Sequence, residues 1–363
     1  MEQKQTIPSL LSLSRDEISA ALPSAPSYTS GQIFKFLHDG KDFSGMTSVS
    51  KAIRERLSKE FNAIPLAIER VLIGRDGTKK YLFRLSDDEL IESVFMTNDY
   101  GGTLCVSTQV GCRMGCIFCA SGISGLARNL SAGEILGQAV KVNAIEKESS
   151  GGKSRVTNVV LMGSGEPLDN YDNTLKFLEL VNDKNGINIS IRNISVSTCG
   201  LCDKIRLLSE SGKTPTLCIS LHAANDALRN ELMPINRKFP LSEVISAARY
   251  YFEKTGRRVI FEYALIAGKN DMQNDADALS KLVSGFPAHV NLIRLNAICK
   301  GKYSGTGLKQ AQEVLARLRK NGASATLRRS MGGDIEGACG QLKRRYLSDS
   351  VERAAKPIID KST

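Results

Sequence analysis

Residues 111–122 read GCRMGCIFCASG, from Gly111 to Gly122. Within them Cys112, Cys116 and Cys119 stand at the spacing CxxxCxxC, with no histidine or further cysteine near enough in sequence to complete a compact four-ligand site. Three thiolates leave one coordination position open. A closed structural zinc normally takes four protein ligands, whereas a 4Fe-4S cluster held by three thiolates keeps one iron free for an outside ligand. That open iron is where a sulfonium cofactor could bind by its amino and carboxylate groups and be cleaved reductively to a radical. Two plainer readings stay open at this level: a zinc knuckle with a distant fourth ligand, and three thiols buried for packing.

The spacing, with the aromatic Phe118 just before the third cysteine, resembles the signature of the radical S-adenosylmethionine (SAM) enzymes. The rest of the composition sets the frame. The chain has 363 residues, enough for one large domain with an accessory one or for two medium domains. Its hydrophobic content of 42% and charged content of 24% are those of an ordinary globular protein. No apolar run approaches the ~18 residues that span a bilayer. The start, MEQKQTIPSLLSLSRDEI, has no basic region followed by an apolar stretch and a small-residue cleavage site, so the expected location is cytoplasmic. Nine cysteines, an odd number dispersed along the chain, argue against a secreted disulfide framework. The formal charge of +11 suits a polyanionic partner such as a nucleic acid without requiring one.

Outward from the cysteine loop, the first hundred residues differ from the remainder. Residues 14–22, capped at Ser14, 29–39 and 51–61 have helical spacing, and together predict a small helical domain over 1–65. Segments 67–73, 79–85 and 90–96 read as the strands of a β-meander over 66–102, with a turn at Arg75-Asp76-Gly77-Thr78. From Thr103 the pattern alternates. Strands are expected at 103–109, 156–162, 192–198, 216–221, 258–266, 289–296 and 323–328, and helices at 131–147, 172–182, 202–211, 241–255, 274–284 and 308–320. This predicts an α/β fold of right-handed βαβ units, a partial or full (β/α) barrel over 103–345, followed by a C-terminal tail over 346–363. No GxGxxG follows the first strand, which argues against a dinucleotide-binding fold.

In a parallel barrel the chemistry gathers at the C-terminal ends of the strands. There stand Gly163, Gly165 and Glu166 after the second strand, Ser197 at the end of the third, Ser220, Leu221 and His222 at the fourth, and Asn296 at the sixth. Glycines let a ligand approach the backbone, and Glu166 can accept hydrogen bonds from an ammonium group. Taken singly, each has an equally ordinary reading as a turn or cap. His222 alone reads as structural, as do His38 and His289, and Cys199, Cys202, Cys218 and Cys299 read as core or loop thiols. Cys105, on the first strand, and Cys339, in the glycine-dense loop 332–342, read as a packed thiol and an incidental one.

Several separated stretches change that judgement together. The run Glu92–Gly122, MGSGEPL at 162–168, SLHAANDALRNELMPINRK at 220–238, NLIRLNA at 291–297 and GGDIEGACGQL at 332–342 resemble the RlmN family of radical SAM RNA adenosine methyltransferases. The match runs from about Gln32 to Leu342. It implies a partial (β/α) barrel of radical SAM type, and an N-terminal helical domain that is similar to the family's RNA-binding accessory domain. It implies that one SAM methylates Cys339, that a second SAM is cleaved at a 4Fe-4S cluster held by Cys112, Cys116 and Cys119, and that a carbon radical on Cys339 adds to carbon 2 of adenine. Cys105 then frees the product through a transient disulfide with Cys339, and Glu92 accepts the proton, with Cys105 a chemical competitor for part of that role. The SAM contacts implied are Gly165, Glu166, Ser197, Ser220, Leu221, His222 and Asn296. Carbon 2 of adenine is a poor nucleophile, so an electrophilic methyl group finds nothing there to attack it; a carbon radical adds directly.

The substrates implied are the adenosine of the peptidyl-transferase centre in 23S ribosomal RNA and, in some members, the adenosine beside the tRNA anticodon. A one-electron donor such as flavodoxin is expected, and a monomer. The sequence departs from the commoner family pattern at Ser164, often methionine, and Ala297, often proline. The sister family of Cfr type, which methylates carbon 8, shares the cluster and both thiols; Pro167 in GEPL favours carbon 2. A non-catalytic RNA-binding protein with a structural metal remains the alternative from another class.

Overall fold

The computed structural model describes residues 7–98, 101–123, 125–295, 303–328 and 335. Asn296, Cys299, Cys339 and the tail 346–363 lie outside the described residues. Three helices come first: α1 (Arg15–Ala21), α2 (Thr29–His38) and α3 (Lys51–Glu60). Ser14 caps α1 in a reciprocal capping box with Glu17, satisfying two N-terminal backbone donors. These helices pack on the outer helices of the barrel. His38 Nδ1 accepts from the backbone N–H of Ile187, and the Lys176 ammonium meets Glu17 at 2.8 Å.

Strands β1 (Leu66–Ile73), β2 (Lys79–Leu85), β3 (Leu90–Asn98) and β4 (Gly101–Cys105) run antiparallel in turn. The chain then makes the cysteine loop and a small two-stranded sheet, β5 (Gln109–Gly111) with β6 (Leu126–Asn129). From there helices and strands alternate: α4 (Ala132–Ser149), β7 (Val156–Leu161), α5 (Tyr171–Asn182), β8 (Ile194–Thr198), α6 (Cys202–Glu210) and β9 (Thr216–Ser220). The second half continues with α7 (Asp226–Leu232), α8 (Leu241–Thr255), β10 (Val259–Leu265), α9 (Gln273–Leu282), β11 (Ala288–Arg294), α10 (Leu308–Lys320) and β12 (Ala325–Leu327).

Among the described residues one ten-stranded sheet has the order β1-β2-β3-β4-β7-β8-β9-β10-β11-β12, and it is parallel from β4 onward. The α/β partial-barrel expectation is met. Because β3 pairs with β4, the meander and the parallel strands share one sheet. Strand runs such as Leu217-Cys218-Ile219 and Val259 to Leu265 are largely buried, as strands covered on both faces must be. No helix among the described residues is long and apolar enough to cross a membrane.

Element boundaries differ from expectation at one consequential place. The strand expected over 103–109 stops at Cys105, and residues 109–111 join β6 instead. Ser107 is the reason. Its N–H donates to Gln138 Oε1 and its C=O accepts from Gln138 Nε2, both at 2.9 Å, so a buried side-chain amide from α4 satisfies the backbone that a sheet neighbour would otherwise pair. The chain is thereby released from the sheet into the cysteine loop. Helix α7, unmarked by any long apolar period, was not expected at all.

Candidate active site

The cysteine loop is fastened at several points. Gly111 has φ +80° and lies so close to the Gly125 carbonyl that a Cβ would fall 2.0 Å from it, so only glycine fits. Cys112 N–H donates to Gly125 O at 2.9 Å, and Ile117 N–H to Leu232 O at 3.1 Å. Asn170 Nδ2 holds both Thr108 O and Leu130 O. The loop so shaped places Cys112, Cys116 and Cys119 on the wall of a cavity of about 380 Å³, at the C-terminal ends of the parallel strands.

The turn after β7 forms the adjoining wall. Gly163 and Gly165 touch the backbone of residues 106–109: a Cβ on Gly163 would stand 2.6 Å from Val106 O, and one on Gly165 2.6 Å from Gln109 Cβ. Glu166, 3% exposed, accepts from the Cys199 N–H at 2.7 Å through Oε2 and from the Leu168 N–H at 3.1 Å through Oε1. Burial raises its pKa, against the pull of those donors. The side chains of Cys199 and Thr198 also lie within its hydrogen-bonding reach. Gly165→Ala, at φ +109° and with no free space, should destabilise the fold by roughly 1–3 kcal/mol and displace Glu166. Urea unfolding and a SAM titration, run side by side, check both effects.

Ser197, Ser220 and His222 line the same cavity. Leu221 does not: its side chain is fully buried, and its backbone donates to Glu262 O and accepts from Arg229. His222 adopts φ +58°, unusual for a residue with a Cβ. Its Nδ1 accepts from the Ala264 N–H at 2.9 Å, so the ring proton sits on Nε2. The Phe118 ring meets it edge-on at 4.8 Å. Burial first, and the Arg229 charge second, depress its pKa to about 3, so it is a neutral donor.

Glu92 and Cys105 come together beside that cavity, where Cys105 meets the Met162 backbone and feels the Arg328 charge, both of the cavity wall. Val94 is in register with both Lys80 on β2 and Cys105 on β4, which puts Lys80, Glu92 and Cys105 on one face of the sheet. Lys80, with no exposed side chain, meets Glu92 Oε2 at 3.1 Å. Burial pushes the Cys105 thiol up to about 11, with the positive charge of Arg328 opposing.

Three cavity or near-cavity groups escaped the sequence reading. Arg229, on α7, is wholly buried and bridges Leu221 O, Cys199 O and Asn236 Oδ1. Glu262 lines the cavity from the middle of β10, and Arg328 from just beyond β12. For Glu262 a signal existed: one carboxylate at the centre of the apolar run VIFEYAL. Arg229 sent none, since a basic residue on a short helix reads as surface.

The donor set fits a 4Fe-4S cluster. Burial pushes Cys112 up to about 11 and raises Cys116 further, the other thiols and Glu166 adding to the effect. Thiolates so close to one another and to a carboxylate need cationic charge between them, which iron supplies. No three His, Cys, Asp or Glu side chains among the described residues are grouped as ligands of a single ion.

A family model described as the radical SAM superfamily matches residues 106–279. A protein of Lachnospira eligens described as "Probable dual-specificity RNA methyltransferase RlmN" is 46% identical over 325 residues, 89% of this chain and 91% of that protein. A protein of Geobacillus kaustophilus with the same description is 43% identical over 348 residues, 95% and 94% of the two chains. Among solved structures, a radical SAM methyltransferase from Sphaerobacter thermophilus is similar at a TM-score of 0.88 and 40% identity, covering 92% of this chain and 98% of that one.

Proposed function

The chain belongs to the RlmN family and is a radical SAM RNA methyltransferase, and from that membership and the geometry of its site we propose that it methylates carbon 2 of adenosine in 23S ribosomal RNA and in transfer RNA. The observation that carries the reading is the shared cavity: three thiols, the Gly165–Glu166 turn and His222 face one space large enough for a nucleoside sulfonium.

Cys112, Cys116 and Cys119 would hold the 4Fe-4S cluster. When bound there, the cluster would supply the electron for reductive cleavage of a SAM held beside it. Glu166 accepts from the methionyl ammonium. Ser197, Ser220 and the Nε2–H of His222 orient the rest of the molecule, with Leu221 contributing backbone alone; Asn296 completes the set on the family's pattern. The buried turn excludes water from the space between them. Cys339 takes the first methyl group on its sulfur and delivers the carbon. Glu92, held by Lys80, accepts the proton that leaves carbon 2, and Cys105 closes a disulfide with Cys339 to free the product. The adenosine must leave its stack to reach this depth. The helical N-terminal domain binds RNA. The protein works in the cytoplasm as a monomer, reduced by a flavodoxin-like donor.

Mass spectrometry of nucleosides from 23S and transfer RNA tests the proposal, after incubation with reconstituted enzyme, SAM and reductant. Wild type should yield 2-methyladenosine and Cys339→Ala none. An 8-methyladenosine product would place the enzyme with the Cfr-type reaction; no methylated base despite an intact cluster would overturn the reading.

A further inference from the structure

Glu262 is a buried carboxylate on the cavity wall with one oxygen unmet among the described residues. The residue is 4% exposed, its Oε1 accepts from Asn291 Nδ2 at 3.0 Å, and its Oε2 is buried without a hydrogen-bond partner among the described residues. A buried carboxylate oxygen left unpaired is costly, and native structures seldom keep one without a ligand or water to meet it. Its inner neighbour is not free to rotate away: Asn291 Oδ1 accepts from Thr326 Oγ1 at 2.9 Å, which fixes the amide that fixes Oε1.

Its place in the sheet narrows what the missing donor is. Strand register sets Glu262 opposite Ser220 on β9 and Asn291 on β11, and Ser220 lines the cavity beside it. The amino-acid end of SAM belongs elsewhere, with the thiols and with Glu166, whose charge is felt at Cys112 and Cys116. From β7 to β10 is three strand spacings, about 14 Å along the sheet and less across its curve. That is the reach from the amino-acid head of an extended SAM molecule to its sugar. At that distance the cavity offers a carboxylate oxygen and a hydroxyl side by side, two acceptors for two vicinal hydroxyls. Arg328, also on the wall, offsets the carboxylate's charge.

Resting on the SAM-binding reading above, we propose that Glu262 binds the ribose 2',3'-diol of the nucleoside sulfonium through Oε2, with Ser220 alongside. An adenine amine could donate to the same oxygen, so the test separates the two. The reconstituted holoenzyme is titrated calorimetrically with S-adenosylhomocysteine and with its 2',3'-dideoxy counterpart, using wild type, Glu262→Ala and the shape-preserving Glu262→Gln. A charged hydrogen bond predicts that Glu262→Ala weakens the ribose ligand by roughly tenfold to a hundredfold and leaves the dideoxy ligand nearly unchanged. Glu262→Gln should fall between, with iron content and thermal midpoint close to wild type. Equal weakening of both ligands would assign the contact to the base and overturn the proposal, as would no weakening of either. Failure of wild type to bind the ribose ligand at all would instead remove the SAM-binding reading on which the proposal rests.

Discussion

A Cys116→Ala enzyme, purified and reconstituted without oxygen, is expected to retain little iron or sulfide and to release no 5'-deoxyadenosine above background from SAM and dithionite. Three thiolates are the minimum that leaves one iron open while holding the cluster, so losing one leaves two anchors and a second exposed iron. Cys116 is the middle of the three, its amide flanked by loop contacts and its C=O accepting from the Cys119 N–H at 3.1 Å. Burial first, and then both partner thiols, raise its own thiol, so a nearby cation favours its ionisation. Removing it should disturb the fold little, because the loop is pinned from outside by Leu232, Asn170 and Gly125. Iron analysis and product chromatography give the chemical loss, and circular dichroism gives the intact fold. A variant with full iron and normal cleavage would exclude Cys116 as a ligand.

Arg229→Met should cost about 3–5 kcal/mol of stability, the largest effect expected of any single change outside the cluster loop. The guanidinium is wholly buried and has no carboxylate partner in its hydrogen-bond set. It donates instead to Leu221 O at 3.1 Å, Cys199 O at 2.7 Å, Asn236 Oδ1 at 2.8 Å, Ser220 O at 3.3 Å and Phe239 O at 3.4 Å. Methionine fills the space but leaves those acceptors buried and unmet. Three of the carbonyls belong to strand ends that carry Glu166's partner Cys199 and the Ser220–His222 turn, so SAM affinity should fall as well. Arg229→Lys should recover only part of the loss, because one ammonium cannot reproduce a planar fork. The midpoint of urea unfolding reads the effect, provided the slope stays constant.

These two residues mark the two limits of what sequence can tell. The thiols announce themselves because a three-ligand spacing is written in eight consecutive residues, and the alternation of apolar strands and amphipathic helices announces the barrel around them. Even Ser14 was readable as a cap from its local neighbours. Arg229 was not, because its meaning lies in carbonyls 8 and 30 residues away that converge only in the folded chain. Lys80 is similar: within KKYLFRL it reads as one of two charged residues at a strand start, and only the pairing of β2 with β3 buries it against Glu92. The over-long first barrel strand failed for the same reason, since the amide that ends it, Gln138, is supplied from the middle of α4. Cys339, legible only through resemblance, lies outside the described residues.

The excursion from the end of β4 at Cys105 to the start of β7 at Val156 carries all three thiols, and its flanking strands come together only by parallel pairing, Gly102 beside Val156 and Cys105 beside Val160. Pairing over such a sequence separation is slow, and it must precede any fixed arrangement of the loop between. The cavity facing the loop is built later still, from β8 to β12. During translation, therefore, the thiols leave the ribosome well before the walls that will shelter a cluster have been synthesised. The shelter for the three thiols is thus complete only once the last strands of the sheet, β10 to β12, have been made and paired.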